Sequence, residues 1–145
     1  MQTFVPYANL RKSMACLDNS RLGNQVYREG LTLLNGGWAN HPASKMWRGH
    51  EHHLTLYCLA GALEMQTRVS NNTGPWKKEI ADKWVLFFYE KLKEYTDSGY
   101  PVWWGDDKIH DSHKSNLLKK DPQHYSKFFN VANDIPYVWP LTHDK

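Results

Sequence analysis

The sequence predicts an all-α fold, a single compact and irregular helical bundle with an extended N-terminal segment. Apolar residues recur at intervals of three and four over long stretches, which is the period of one helix face. No stretch alternates apolar and polar residues between hairpin turns, as paired strands would. The 145 residues are 41% hydrophobic, which is enough for one domain, residues 1–145, with its own core.

The N-terminal segment, residues 1–7, is expected to be extended, because Pro6 disfavours the helical conformation at the residue before it. A short helix over residues 9–17 would follow. Its inward-facing residues would be Leu10, Met14 and Leu17.

The first long helix is expected in LDNSRLGNQVYREGLTLL, residues 17–34. Asp18 or Ser20 would cap its N-terminus, and Gly36-Gly37 would end it. Its apolar face would carry Leu22, Val26 and Leu33.

One acidic residue, Glu29, falls on this apolar face. A carboxylate in apolar surroundings is costly unless it is paired or has a chemical task. Two interpretations are open. Glu29 lies at the edge of the face and pairs with Arg21 or Arg28, which share the neighbouring stripe with Gln25, or it acts as an acid–base group.

Two longer helices are expected in the middle of the chain. Pro42 suits the first turn of a helix that runs to about residue 68, and a loop at residues 69–75 separates it from a helix over residues 75–95. The buried face of the first would include Met46, Trp47, Leu54, Tyr57, Cys58, Gly61 and Met65.

Short helices and irregular segments are expected towards the C-terminus. Residues 99–111 would form a loop, and Ser112 would cap a helix that ends at residue 120. A further helix would span residues 121–130, and the tail beyond it would be irregular, held by Tyr137 and Trp139.

Basic residues concentrate in the first third of the chain. Residues 1–50 hold six Lys and Arg against two Asp and Glu, whereas residues 51–145 hold twelve against thirteen. This distribution favours a polyanionic partner. The seven Trp and eight Tyr fit either a core or stacking on bases.

The chain has the features of a cytoplasmic protein without a membrane anchor, and we expect a monomer. Cys16 and Cys58 are far apart among apolar residues, as reduced and buried thiols are. No apolar run reaches the ~20 residues of a membrane span, and the N-terminus lacks the apolar core of a signal peptide.

Histidines are clustered in two places, at His50, His52 and His53 and again at His110 and His113. The first group does not have the HExxH spacing that places two imidazoles one turn apart on zinc. Packed or surface histidines are therefore expected, and neither a metal nor another cofactor.

A second polar cluster begins the helix expected at residue 112. Ser112, His113, Lys114 and Ser115 at a helix N-terminus would form a seat for a DNA phosphate. An ordinary capped helix with a solvated basic face explains the same residues.

Four blocks of the chain together resemble the pyrimidine-dimer DNA glycosylase family, which includes the phage endonuclease V enzymes. The resemblance runs from residue 1 to about residue 130. The blocks are MQTFVPY, LDNSRLGNQ…EGLTLL, GGWANHPASKMWRG and SHKSNLLKKDPQHY.

The resemblance implies an all-α enzyme that removes a damaged pyrimidine from double-stranded DNA and then nicks the abasic site. In that family the α-amino group of the chain attacks the sugar C1′ and forms a Schiff base. A glutamate on the first long helix is essential, and arginines beside it hold DNA. Glu29 matches this glutamate, and Arg21 and Arg28 match the arginines.

Two features depart from the family pattern. Family members close to this sequence lack one residue between Gln25 and Glu29. The phage enzyme exposes a Thr after removal of Met1, whereas position 2 here is Gln2, and a long side chain there usually blocks that removal. The nucleophile would then be the Met1 amine, the Gln2 amine serving only after removal, or the lyase step would be absent.

The DNA-contacting surface is expected to place Arg21, Arg28, Arg48 and Lys114 on one face, with Gln25 beside them. The other residues of interest lie in the segment GGWANHP and just after it. Asn40 and His41 would read a base edge or a phosphate, or cap the following helix, while Trp38 and Trp47 would line an aromatic pocket or pack in the core. A non-catalytic DNA-binding module and an enzyme acting on modified bases or nucleotides are the alternatives.

Overall fold

The structure is a computed structural model that describes residues 2–140, and all regular secondary structure in that range is helical. The all-α prediction is confirmed. In chain order the α-helices are α1 (Leu10–Cys16), α2 (Asn19–Asn24), α3 (Leu31–Leu34), α4 (Pro42–Lys45), α5 (Glu51–Ser70), α6 (Lys78–Leu92), α7 (Asp107–Lys120) and α8 (Pro122–Tyr125), and a π-helical segment, Gln25–Gly30, joins α2 to α3.

Helix α5 is the central element of the fold, since α1, α2, the π-helical segment, α3 and α6 all contact it. The predicted inner face is confirmed, because Leu54, Tyr57, Cys58 and Met65 are at most 2% exposed. Gly61 lets the π-helical segment approach closely, as a methyl group at that position would collide with a side chain of that segment. None of the helices within residues 2–140 has the length and apolar character needed to cross a bilayer.

The π-helical segment joins α2 to α3. Such π-turns are frequent at functional sites. The segment contains both Gln25 and Glu29. Asp18 caps α2, as the sequence indicated, and the helix ends where predicted, since Gly36 with φ +83° follows the C-cap residue Asn35.

Several predicted helix boundaries are wrong. The helix expected from Pro42 to residue 68 is divided into α4 and α5, with Gly49 at φ +83° between them. The helix expected over residues 75–95 is shorter, and Ile80 and Phe87 on its presumed inner face are 40% and 38% exposed. Helix α7 begins at Asp107, inside the expected loop.

The N-terminal segment, residues 2–6, is buried throughout and lies in the interior without joining a sheet. Its backbone polar groups are satisfied by side chains instead. The Val5 N–H donates to His113 Nδ1 at 2.8 Å, and the Val5 carbonyl accepts from His110 Nδ1 at 2.7 Å. Helix α7 therefore fixes the start of the chain.

Acid should weaken this attachment. Burial, and then the nearby His110, lowers the pKa of His113 to about 3, whereas an unfolded histidine has a pKa of about 6.5. Between these two pKa values His113 is protonated in the unfolded chain but neutral in the folded chain. The full contribution of neutral His113 to the free energy of unfolding is therefore present above about pH 6.5. It should fall by up to about 1.4 kcal/mol per pH unit as the pH drops towards 3.

Urea unfolding between pH 4.5 and 7.5 measures this slope. His113→Gln keeps a neutral acceptor for Val5 and should give a dependence that is shallower by nearly one proton. Parallel curves for the two proteins would show that His113 does not titrate with unfolding.

Candidate active site and nucleic-acid interface

A pocket of about 300 Å³ opens where the N-terminal segment meets the π-helical segment and the end of α7. One carboxylate, two cations, three amides and two aromatic rings converge there, which is the composition of a site for a polar, anionic ligand. The lining residues are Gln2, Phe4, Arg21, Asn24, Gln25, Glu29, Lys120 and Tyr137.

Glu29 is half-buried on the wall of this pocket. It does not pair with Arg21, because the Arg21 guanidinium lies 3.1 Å from Asp18 Oδ1. Arg28 is exposed and has no salt bridge within residues 2–140. The edge-of-face ion pair that the spacing allowed is therefore not formed, and the carboxylate faces the pocket.

Gln25 links the N-terminal segment to the helix that carries Glu29. Its Oε1 accepts the Phe4 N–H at 2.8 Å and lies 2.6 Å from the Tyr57 hydroxyl. The same hydroxyl is 2.9 Å from the Phe4 carbonyl oxygen. Because Gln25 and Glu29 share the π-helical segment, this network sets the distance between the start of the chain and the acid.

Gln2 is 5% exposed, and neither its amide nitrogen nor its amide oxygen has a hydrogen-bond partner among residues 2–140. Buried amides are normally satisfied. Met1 lies outside the described residues.

His41 is subject to the electrostatic effect of Glu29. Burial lowers the pKa of His41, and the negative charge of Glu29 acts in the opposite direction. Its Nδ1 accepts the Ala43 N–H at 3.0 Å, so the capping role considered for this residue is confirmed. The neutral ring then carries its proton on Nε2, which leaves one donor.

Comparison with known families identifies the family to which this chain belongs. The family model for pyrimidine dimer DNA glycosylase matches residues 1–78. The chain belongs to the pyrimidine dimer DNA glycosylase family. No curated protein and no solved structure matches it.

The matched part of this DNA repair glycosylase contains the N-terminal segment, Glu29 and the loop that carries His41. Its substrate is therefore DNA. Two of the pocket residues, Lys120 and Tyr137, lie beyond the matched region.

The phosphate seat expected at residue 112 is not present in the glycosylase. Ser112, His113 and Ser115 are fully buried, because α7 starts at Asp107 and these residues fall on its inner face. Asp106 caps this helix, so its N-terminus is acidic and unsuited to a phosphate.

The two serines instead hold the C-terminal tail. Ser112 Oγ accepts the Val138 N–H at 3.1 Å, and Ser115 Oγ accepts the Ile135 N–H at 2.9 Å. Lys114 lies 4.9 Å above the ring of Tyr7 and 3.4 Å from Asp111. These contacts give structural tasks to residues that the sequence suggested for DNA.

The remaining predicted residues do not line this pocket. Arg48 donates to the Ala39 carbonyl at 2.7 Å and so fixes the loop before α4, in which Asn40 is exposed. Trp47 is core, at 2% exposed, whereas Trp38 is 59% exposed.

Four pocket residues were not predicted as site residues, namely Phe4, Asn24, Lys120 and Tyr137. The Lys119-Lys120 pair at a helix end was the available sequence signal for Lys120. Of the clustered histidines, His53 is buried against aromatic rings, and residues 2–140 contain no group of three metal-ligating side chains.

Proposed function

We propose that the glycosylase, acting as a monomer, excises a damaged pyrimidine from double-stranded DNA and then cleaves the abasic site as a lyase. Glu29 is the acid–base group, and the α-amino group of the chain is the nucleophile. The observation that supports this most strongly is that Glu29 and Gln2 line the same pocket.

The reaction uses the amine as a nucleophile and the carboxylate as the group that transfers protons. The neutral amine attacks C1′, the C1′–N1 bond breaks, and the base leaves with the electron pair and takes up a proton. Ring opening then yields the Schiff base, from which loss of a C2′ proton expels the 3′ phosphate. An α-amino group has an ordinary pKa of about 8, so a useful fraction is neutral at pH 7.

Glu29 is placed to move these protons or to stabilise the positive charge that develops at C1′. The Gln25 network supports the same assignment, because it ties the Phe4 N–H to the segment that carries Glu29. The long side chain of Gln2 favours retention of Met1, so the Met1 amine is the proposed nucleophile.

Two exposed or pocket-lining cations are proposed to hold the phosphates. Lys120 lies on the wall of the pocket and Arg28 on the outer surface of the π-helical segment. Neither has a salt bridge within residues 2–140. Their charges are therefore available to DNA.

Affinity for duplex DNA should fall steeply with salt, with a slope of about −0.9 per phosphate contacted. Arg28→Ala and Lys120→Ala should each make the slope less negative by about 1. Lys93→Ala is the matched control, because Lys93 lies just after α6 and pairs with Glu90. Fluorescence anisotropy at several salt concentrations measures all four proteins. Salt-independent binding, or none at low salt, would contradict the proposed DNA interface.

A further inference from the structure

Trp38 is exposed in a way that folding alone does not explain. Its side chain is 59% exposed. Its backbone φ is 58°, a left-handed conformation that bulky residues rarely adopt. Strain of this kind is concentrated at functional sites.

The loop that carries Trp38 is held by specific contacts. The Gly37 N–H donates to the Thr32 carbonyl at 2.9 Å, and the His41 N–H donates to the Trp38 carbonyl at 2.8 Å. Arg48 donates to the Ala39 carbonyl at 2.7 Å. Three bonds thus fix the backbone on both sides of an indole that points to solvent.

A row of aromatic rings leads from Trp38 to the pocket. The Trp38 ring meets His41 edge-on, with centroids 6.0 Å apart, and His41 meets Trp139 at 5.8 Å. Trp139 contacts Tyr137 at 5.6 Å, and Tyr137 lines the pocket. Trp38 is the exposed end of this row.

We propose that Trp38 is a positioning residue that inserts its indole into the base stack of duplex DNA beside the target nucleotide. The inference rests on the proposed function. A nucleotide that enters the pocket must leave the stack, and its neighbours lose their stacking partner. Apolar side chains wedged between base steps are a known means of stabilising such distorted DNA. A rigid and exposed indole replaces the lost partner.

Fluorescence of 2-aminopurine, placed next to a cyclobutane pyrimidine dimer in a duplex, reports this unstacking. Binding of the wild-type protein should raise the fluorescence. Trp38→Ala, at saturating protein, should lose most of the rise and slow single-turnover excision by about 5- to 150-fold, the equivalent of stacking one base. Trp38→Phe should restore most of both.

Two controls separate the possible outcomes. Tyr89→Ala removes a similarly exposed ring, 55%, from α6 and should behave as wild type. Melting temperatures should be nearly equal, because Trp38 contributes little buried surface. An unchanged fluorescence rise and excision rate in Trp38→Ala would overturn the inference while the glycosylase assignment stands. A wild-type protein that neither binds nor excises would overturn the proposed function, and the inference with it.

Discussion

Replacing Glu29 with Gln will leave the protein folded and bound to DNA but slow base excision by about 10²- to 10⁴-fold. The substitution keeps the shape and a polar head but removes the ionisable group. Since Glu29 forms no salt bridge with Arg21 or Arg28, little stability depends on its charge. Melting temperature, DNA affinity and single-turnover excision of the same variant test the three parts of this expectation.

Glu64→Gln is the matched control for a glutamate with a structural task. Glu64 is partly buried and lies 2.9 Å from Arg68 Nε, so its loss should lower stability and leave excision unchanged. If Glu29→Gln showed full activity and only a small loss of stability, under about 1 kcal/mol, Glu29 would be a surface group and not a catalytic one.

Adding Gly-Ser ahead of Met1 should abolish strand nicking, with a loss of at least about 10²-fold. The amine would move by two residues, and a misplacement of even ~1 Å can cost that much in rate. The buried residues 2–6 would keep their contacts, so folding and DNA affinity should be retained.

The same two residues added after Lys145 serve as the control and should leave nicking intact. Strand cleavage and anisotropy measure both proteins. Normal nicking by the N-terminally extended protein would contradict the use of the α-amino group.

Local signals in the sequence were sufficient for several parts of the molecule. The predicted cap Asp18 and the breaker pair Gly36-Gly37 mark real helix ends, because each acts through its immediate neighbours. Glu29 was identified as a candidate from its position on an apolar face, and the structure places it on the pocket wall.

Tertiary contacts decided what the sequence could not. Ser112 looks like a helix cap, but Asp106 takes that role, and Ser112 is buried within α7, where its Oγ accepts the Val138 N–H of the C-terminal tail. His113 receives its task from Val5, 108 positions away. Gly49 divides a continuous apolar pattern because the chain must turn there.

The pocket has the same origin. Lys120 and Tyr137 reach Glu29 only through the packing of α7 and the tail, so no spacing rule in the sequence brings them together. Gln25 likewise gains its role from distant parts of the chain, because its Oε1 is hydrogen-bonded to Phe4 in the N-terminal segment and to Tyr57 in α5.

Borohydride trapping on duplex DNA that contains a pyrimidine dimer tests the central claim most directly. Reduction converts a Schiff base into a stable amine, and mass spectrometry of the digested adduct locates the attached residue and reads the N-terminus. The account predicts an adduct on the α-amino group of Met1, or of Gln2 if Met1 has been removed. An adduct on a lysine such as Lys45, Lys114 or Lys120, or excision with no adduct at all, would contradict it.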